Sequence, residues 1–271
     1  MRNFEECSVL VVREILRNCA QAQILDFLRS RQRCGQKNGV YRPGNFKTAM
    51  FITIEGIEGS GKTTQIGNIA GYLRDAGLEC LITREPGGTG IGEKIRTILL
   101  NRDHHMLDPM AELLLYTADR AQHIREKILP ALQSGMAVVC DRFIDSTIAY
   151  QGAARGIGPQ TIHELSRLVL PDLRPDVTFL LDLSPEVGLL RAWKEIESGN
   201  RDGGQSRFER EKIRFHETVR EGYLALAAAE PERFRIIDAA DPPERVRDAI
   251  LSVLRERLTV REDLFHRNMP T

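Results

Sequence analysis

Long apolar runs are missing from this 271-residue chain, and nothing approaches the ~20 residues that a membrane-spanning helix needs. The early apolar stretch over residues 9–12 is too short for a signal-peptide core, and Glu5 and Glu6 stand where such a peptide carries positive charge. A cytoplasmic protein without membrane contact is therefore expected. Cysteine is sparse as well: Cys7, Cys19, Cys34, Cys80 and Cys140 are an odd number with no CxxC or CxxH spacing, which excludes a disulfide framework and a zinc site. Net charge is absent, with 38 Lys and Arg against 38 Asp and Glu, so neither a generally basic nucleic-acid binder nor an acidic solvating tail fits. Lysine itself is rare. Of the cations 31 are Arg and 7 are Lys, and the planar Arg fork suits phosphate and carboxylate oxygens, although genomic base composition accounts for the bias equally well.

Neutrality conceals two unlike parts. Residues 1–49 hold nine Lys and Arg against four Asp and Glu, a net of +5 that leaves −5 for the rest. Apolar residues recur at helical spacing over 9–28, predicting a short amphipathic helix, and 31–47 is polar, Gly- and Pro-containing linker. From Met50 the pattern changes to short apolar runs at 51–55, 79–83, 136–141, 177–182 and 234–238, separated by segments long enough for crossover helices. Five such runs predict an α/β fold with a five-stranded parallel sheet flanked by helices on both faces, its functional groups at the carboxyl ends of the strands.

At the end of the first run, Gly56-Ile57-Glu58-Gly59-Ser60-Gly61-Lys62-Thr63-Thr64 satisfies G-x-x-x-x-G-K-[ST] and leads into a helical pattern. The glycines let backbone N–H groups converge on nucleotide phosphates at a helix N-terminus, Lys62 reaches the β- and γ-phosphates, and the Thr63 hydroxyl can ligate Mg²⁺. This defines a P-loop NTPase and says nothing of what is done with the nucleotide.

Other patterns leave two readings each. Arg84-Glu85-Pro86-Gly87-Gly88 with Arg96 beyond is an anion site or a plain turn. Asp141 and Arg142, at the end of the third run, are a Mg²⁺-shell acid and a phosphate clamp, or a strand-end ion pair. Tyr116 and Arg120, four apart on one helix face, can stack on a base and read its edge, or be core. Residues 191–214 carry Arg191, Arg201, Arg207, Arg210 and Arg214 among three glycines, as a phosphate-closing lid or a solvated charged helix face.

Taken in order, the segments GIEGSGKTT, REPGGTGIGEKIR, LLLYTADR, CDRFIDSTIAYQGAARG and RFERE resemble the thymidylate kinase family, in its bacterial form, from about residue 50 to 258. The resemblance implies transfer of the γ-phosphoryl group of ATP to dTMP with Mg²⁺, in a homodimer. It implies that Tyr116 stacks on thymine, Arg120 reads its O4, Thr147 and Gln151 contact the base, and Tyr150 lies near the sugar. It also implies that Arg96 and Arg142 clamp the dTMP phosphate, with Arg84 close by in the substrate site and Glu58 facing the acceptor's sugar and phosphate. Gly56 to Thr64 and Arg191 are then the ATP-binding residues, Lys62, Arg142, Arg207 and Glu58 the catalytic set, and Thr63 and Asp141 the Mg²⁺ residues. The phosphate loop has no basic residue ahead of Gly61-Lys62, so a short helical, Arg-rich lid over about 191–211, with Arg207, is expected to supply the missing cation. Residues 1–49 are expected to be disordered or to come from an upstream start codon, with an acid-seeking interaction arm as the other reading, and 259–271 to be a tail. Another nucleoside monophosphate or deoxynucleoside kinase of this fold, or a P-loop regulatory NTPase, is the competing function.

Overall fold

The structure is a computed structural model that describes residues 49–104, 106–169 and 173–267, with side chains as far as residue 259. The helix expected over 9–28 and the linker after it lie outside the described residues. Five strands, β1 (Phe51–Glu55), β2 (Cys80–Arg84), β3 (Ala137–Asp141), β4 (Val177–Asp182) and β5 (Phe234–Asp238), form one parallel sheet in the order β2-β3-β1-β4-β5. The runs expected for β1, β4 and β5 match to the residue; β2 lies one residue later than expected and β3 begins one residue later.

Every residue of β1 is buried, as a central parallel strand covered on both faces requires. Its side chains divide by the strand period. Ile52 and Ile54 join Ala137, Val139 and the helix residues Ile66, Ile69 and Leu73 in one apolar cluster. Phe51 joins Val138, Cys140, Ile124, Ile128 and Leu132 in the other. Phe51 and Phe143 meet edge to face at 5.0 Å. Thr53, one of two polar members of β1, shares a 2.7 Å hydroxyl hydrogen bond with Thr178 on β4, so it carries no unsatisfied group into the interior.

The helices in chain order are α1 (Lys62–Asp75), α2 (Gly90–Leu100), α3 (Pro109–His123), α4 (Leu129–Gln133), α5 (Ile144–Thr147), α6 (Pro159–Val169), α7 (Pro185–Glu197), α8 (Ile213–Ala229) and α9 (Pro243–Arg267). Their starts are written in the sequence. The Thr89 side chain accepts from Gly92 N, Asp108 from Met110 N and Ala111 N, and Ser184 from Val187 N, and α3 and α7 have proline in the first turn. Two stretches of π-type bonding, Ile124–Ile128 and Ile148–Ala154, extend α3 and α5. The segment expected as a lid from residue 191 is helix as far as Glu197, and the irregular part follows it, with one short 3₁₀ turn at Gly203–Gln205. Helix α9 continues through residue 258 to Arg267. Among the described residues no helix is long and apolar enough to cross a membrane, and Cys80 and Cys140 are free thiols.

Candidate active site

Parallel strands end on one side of the sheet, and that side carries a cleft of about 990 Å³. Between β1 and α1 the loop from Gly56 to Gly61 turns tightly enough to bring its backbone under the cleft. Gly59 sits at φ +70°, where a Cβ would lie 2.0 Å from Gly188 O, and Gly61 at φ +88° opens α1. Lys62 is buried, and its Nζ donates to Gly56 O at 3.0 Å, Ile57 O at 2.8 Å and Ser60 Oγ at 3.4 Å. Burial, and then nearby Arg142, pull its ammonium down to about 8. Glu58, Gly59, Ser60, Gly61, Lys62, Thr63 and Thr64 line the cleft; Gly56 and Ile57 lie behind it and supply the lysine's carbonyl partners.

Arg84, Arg96 and Arg142 also line the cleft, Arg142 beside the phosphate loop. Arg84 is paired with Glu93, and Arg96 donates to Pro86 O at 3.0 Å and to Gln205 Oε1, on the 3₁₀ turn, at 3.1 Å. Arg142 occupies a left-handed backbone position, φ 67°, which is strained for any residue with a Cβ and accumulates at sites where a side chain must be aimed. Its guanidinium donates to Glu58 Oε1 (3.1 Å), Ser146 Oγ (3.2 Å) and Tyr223 OH (3.0 Å), and lies over the Tyr150 ring. Burial would push the Glu58 carboxyl up, but the adjacent His216, Arg142 and Lys62 outweigh it and hold that carboxyl well below the usual range. Glu55, one turn of chain earlier, goes the other way: burial and then Asp145 raise it to about 7, against the opposing Arg142 and hydrogen bonds from Ser146 and Phe143 N.

A third wall is built from α3 and the α5 extension. Tyr116 is half-buried on it, while Arg120 is buried; Arg120 Nε donates to Glu85 Oε2 at 2.8 Å and Nη2 to Thr147 Oγ1 at 2.9 Å. Tyr150 OH donates to Glu58 Oε1 at 2.7 Å, and Gln151 Nε2 to Glu112 Oε1 at 2.6 Å. The wider π-type turn lets Thr147, Tyr150 and Gln151 reach the cleft together, and all three line it. Glu85, His123 and Glu112 hold this wall in place. Glu85 receives both Arg120 and, at 2.9 Å, His123; Glu112 receives Gln151, Arg155 and Arg207. Periodicity gives no signal for such carboxylates, because their partners come from elements 35 and 95 residues away in sequence.

Arg207 is placed differently from the sequence expectation. It does not line the cleft: it is buried, with Nε on Leu99 O and Nη1 on Glu112 Oε2 at 2.7 Å. A guanidinium fixed by a buried carboxylate and a helix-end carbonyl secures the root of the lid to α2 and α3. The lid arginine that lines the cleft is Arg201, paired with Glu209. Arg191 also lines it and donates to Ala239 O at 3.0 Å.

Two oxygens fit a hard divalent cation. Asp141 Oδ1 is buried without a hydrogen-bond partner among the described residues, and Thr63 presents an exposed hydroxyl at the start of α1. Mg²⁺ keeps water and phosphate oxygens as most of its ligands, so two protein oxygens suffice for it.

Comparison with known proteins gives the same answer from another direction. The thymidylate kinase family model matches residues 54–250. The thymidylate kinase of Desulforapulum autotrophicum is 54% identical over 211 residues, covering 78% of this chain and 93% of that one, and the thymidylate kinase of Desulfosudis oleivorans is 51% identical over 205 residues, covering 76% and 96%. The crystal structure of thymidylate kinase from Ehrlichia chaffeensis matches with a TM-score of 0.60 and 36% identity, over 76% of this chain and 99% of that chain. With a P-loop and three arginines lining one cleft and relatives matched almost end to end, the chain belongs to the thymidylate kinase family.

Proposed function

We propose that the chain catalyses ATP-dependent phosphorylation of dTMP to dTDP by in-line transfer of the γ-phosphoryl group. The observation that carries this reading is the pairing of a P-loop with Arg84, Arg96 and Arg142 in one cleft, in a chain of this family. The ATP phosphates lie along Glu58 to Thr64, with Arg191 on the nucleoside side. The acceptor phosphate lies among Arg84, Arg96 and Arg142, and the thymine between Tyr116 and Arg120, with Thr147 and Gln151 completing the base contact. Thr63 and Asp141 would hold Mg²⁺, which would supply positive charge at the nucleotide phosphates.

Charge and alignment are the chemical problem, because two polyanions must approach within bonding distance. Lys62 supplies one cation at the donor phosphates and Arg142 another at the acceptor. The third comes from the lid. Arg201, lining the cleft, takes the role that the sequence suggested for Arg207, and Arg207 anchors the lid. The acceptor phosphate oxygen is already anionic near neutral pH, so no general base is required. Glu58 orients Arg142 and meets the acceptor sugar through Tyr150's neighbourhood. Donors aimed beforehand at the transferring group are worth most in a cleft that closing walls dry out.

The chain is proposed to act in the cytoplasm and as a homodimer. Exposed Ile91 and Ile98 on α2 and Met110 and Leu114 on α3 support a surface suited to a second copy. Residues 50–258 are proposed as the kinase domain. Steady-state assays with dTMP, dUMP, dCMP and dGMP test the substrate: dTMP gives the highest kcat/KM, and Arg120→Ala erodes that preference. Equal turnover of all four monophosphates, or an unchanged preference in Arg120→Ala, contradicts the assignment.

A further inference from the structure

One buried titratable side chain touches both the phosphate loop and the lid. His216, in the first half of α8, is fully buried. Its Nε2 lies 3.0 Å from Phe208 O, and because a carbonyl only accepts, Nε2 carries a proton and donates it. Its Nδ1 lies 3.2 Å from Glu58 Oε2, and neither of these two atoms has any hydrogen bond among the described residues. With a carboxylate oxygen 3.2 Å from Nδ1, the ring is stabilised as imidazolium, one nitrogen toward each element. Burial opposes the charge, but Glu58, the Phe208 carbonyl and Glu209 outweigh it and raise the pKa. The groups facing this contact are Glu58 from the phosphate loop and Glu209 from the lid. Arg142 from the end of β3 and Tyr150 from the α5 extension face it on the other Glu58 oxygen.

The consequence lies at Arg142. Glu58 holds that guanidinium through Oε1 while Oε2 is held by His216, so the plane of the carboxylate is fixed from both sides. We propose that His216 is a positioning residue for phosphoryl transfer, tying the lid root at Phe208 to Glu58 so that Arg142 is aimed at the acceptor phosphate while the lid is seated. This rests on the kinase reading above. Within it, His216 touches neither substrate; it acts through Glu58.

Two substitutions each keep reach toward one of its two partners. His216→Asn places an amide near the Nδ1 position and keeps reach toward Glu58, whereas His216→Gln places one near Nε2 and keeps reach toward Phe208. Both remove the charge. The test uses the full chain: kcat and KM for ATP and dTMP across roughly pH 6–9, melting curves to confirm folding, and NMR titration of the His216 ring in wild type and in Glu58→Gln. The ring is expected to titrate above its ordinary range in wild type and to fall back in Glu58→Gln. Both His216 variants are expected to fold and to lose about tenfold or more in kcat with KM for ATP little changed. The decline of wild-type kcat at the pH where His216 deprotonates should vanish in both. A His216 titration indifferent to Glu58→Gln, or folded variants with wild-type kcat, overturns the assignment. A wild type that forms no dTDP overturns the kinase reading and this role with it, and is told apart from failure of the role alone by the wild-type assay.

Discussion

Arg201 and Arg207 stand six positions apart in one lid and have opposite surroundings, which gives them opposite expected phenotypes. Arg207 is buried on Glu112, so Arg207→Ala leaves a buried carboxylate short of a partner and is expected to cost about 3 kcal/mol of stability. Arg201→Ala removes a cation from the cleft wall and is expected to lower kcat on the order of 10²–10³-fold with a smaller change in KM for dTMP. Urea unfolding and steady-state kinetics on both variants check this. A folded Arg207→Ala with the larger kcat loss contradicts it. Spacing identified a lid rich in arginine but had no means of saying which arginine turns inward, because the deciding partner, Glu112, is 95 residues away in sequence. Glu55 offers a second test at this scale. Its carboxyl is raised to about 7 by burial and then by Asp145, so the folded state holds a proton that the unfolded chain releases near 4.5. The resulting stabilisation is full below that lower value and is lost as pH rises through about 7. Glu55→Gln mimics the protonated form; its melting temperature should gain on wild type as pH is raised across that window. A constant difference would refute the shift.

Elements were legible where their signal is local. Continuous apolar runs located all five strands, and the glycine pattern located the phosphate loop, since both reflect constraints carried by neighbouring residues. The π-type continuation of α5 was not legible, because i to i+5 bonding has no side-chain signature, yet it brings Thr147, Tyr150 and Gln151 to the same wall. Residues 191–197 of the expected helical lid continue α7, and the irregular part begins after Glu197. The packing of the phosphate loop against α7 was also invisible in sequence. Gly59 and Gly188 meet backbone to backbone, so no side-chain rotation can relieve a Cβ at either position. Gly59→Ala is expected to lose about 1–3 kcal/mol and to raise KM for ATP more than KM for dTMP, measured by unfolding and by two-substrate kinetics. Unchanged stability with unchanged KM would show that the loop has another resting position.

At the scale of the molecule, neutrality is a cancellation. The body after residue 49 carries −5, and against that field Arg84, Arg96, Arg142, Arg191 and Arg201 converge on one cleft. Both apolar clusters and every described residue of the cleft fall at or after Ala49, and Pro43–Thr271 is a compact unit in its own right. A chain begun at Met50 is therefore expected to keep the melting temperature and kcat of the full chain; loss of either would give the first 49 residues a part in the fold or the reaction. The most direct test of the central claim is the fate of the γ-phosphoryl group. With γ-labelled ATP, dTMP and Mg²⁺, the label is predicted to appear in dTDP in step with ADP formation, and omission of dTMP to suppress ADP formation. Label released as inorganic phosphate whether or not dTMP is present would contradict it.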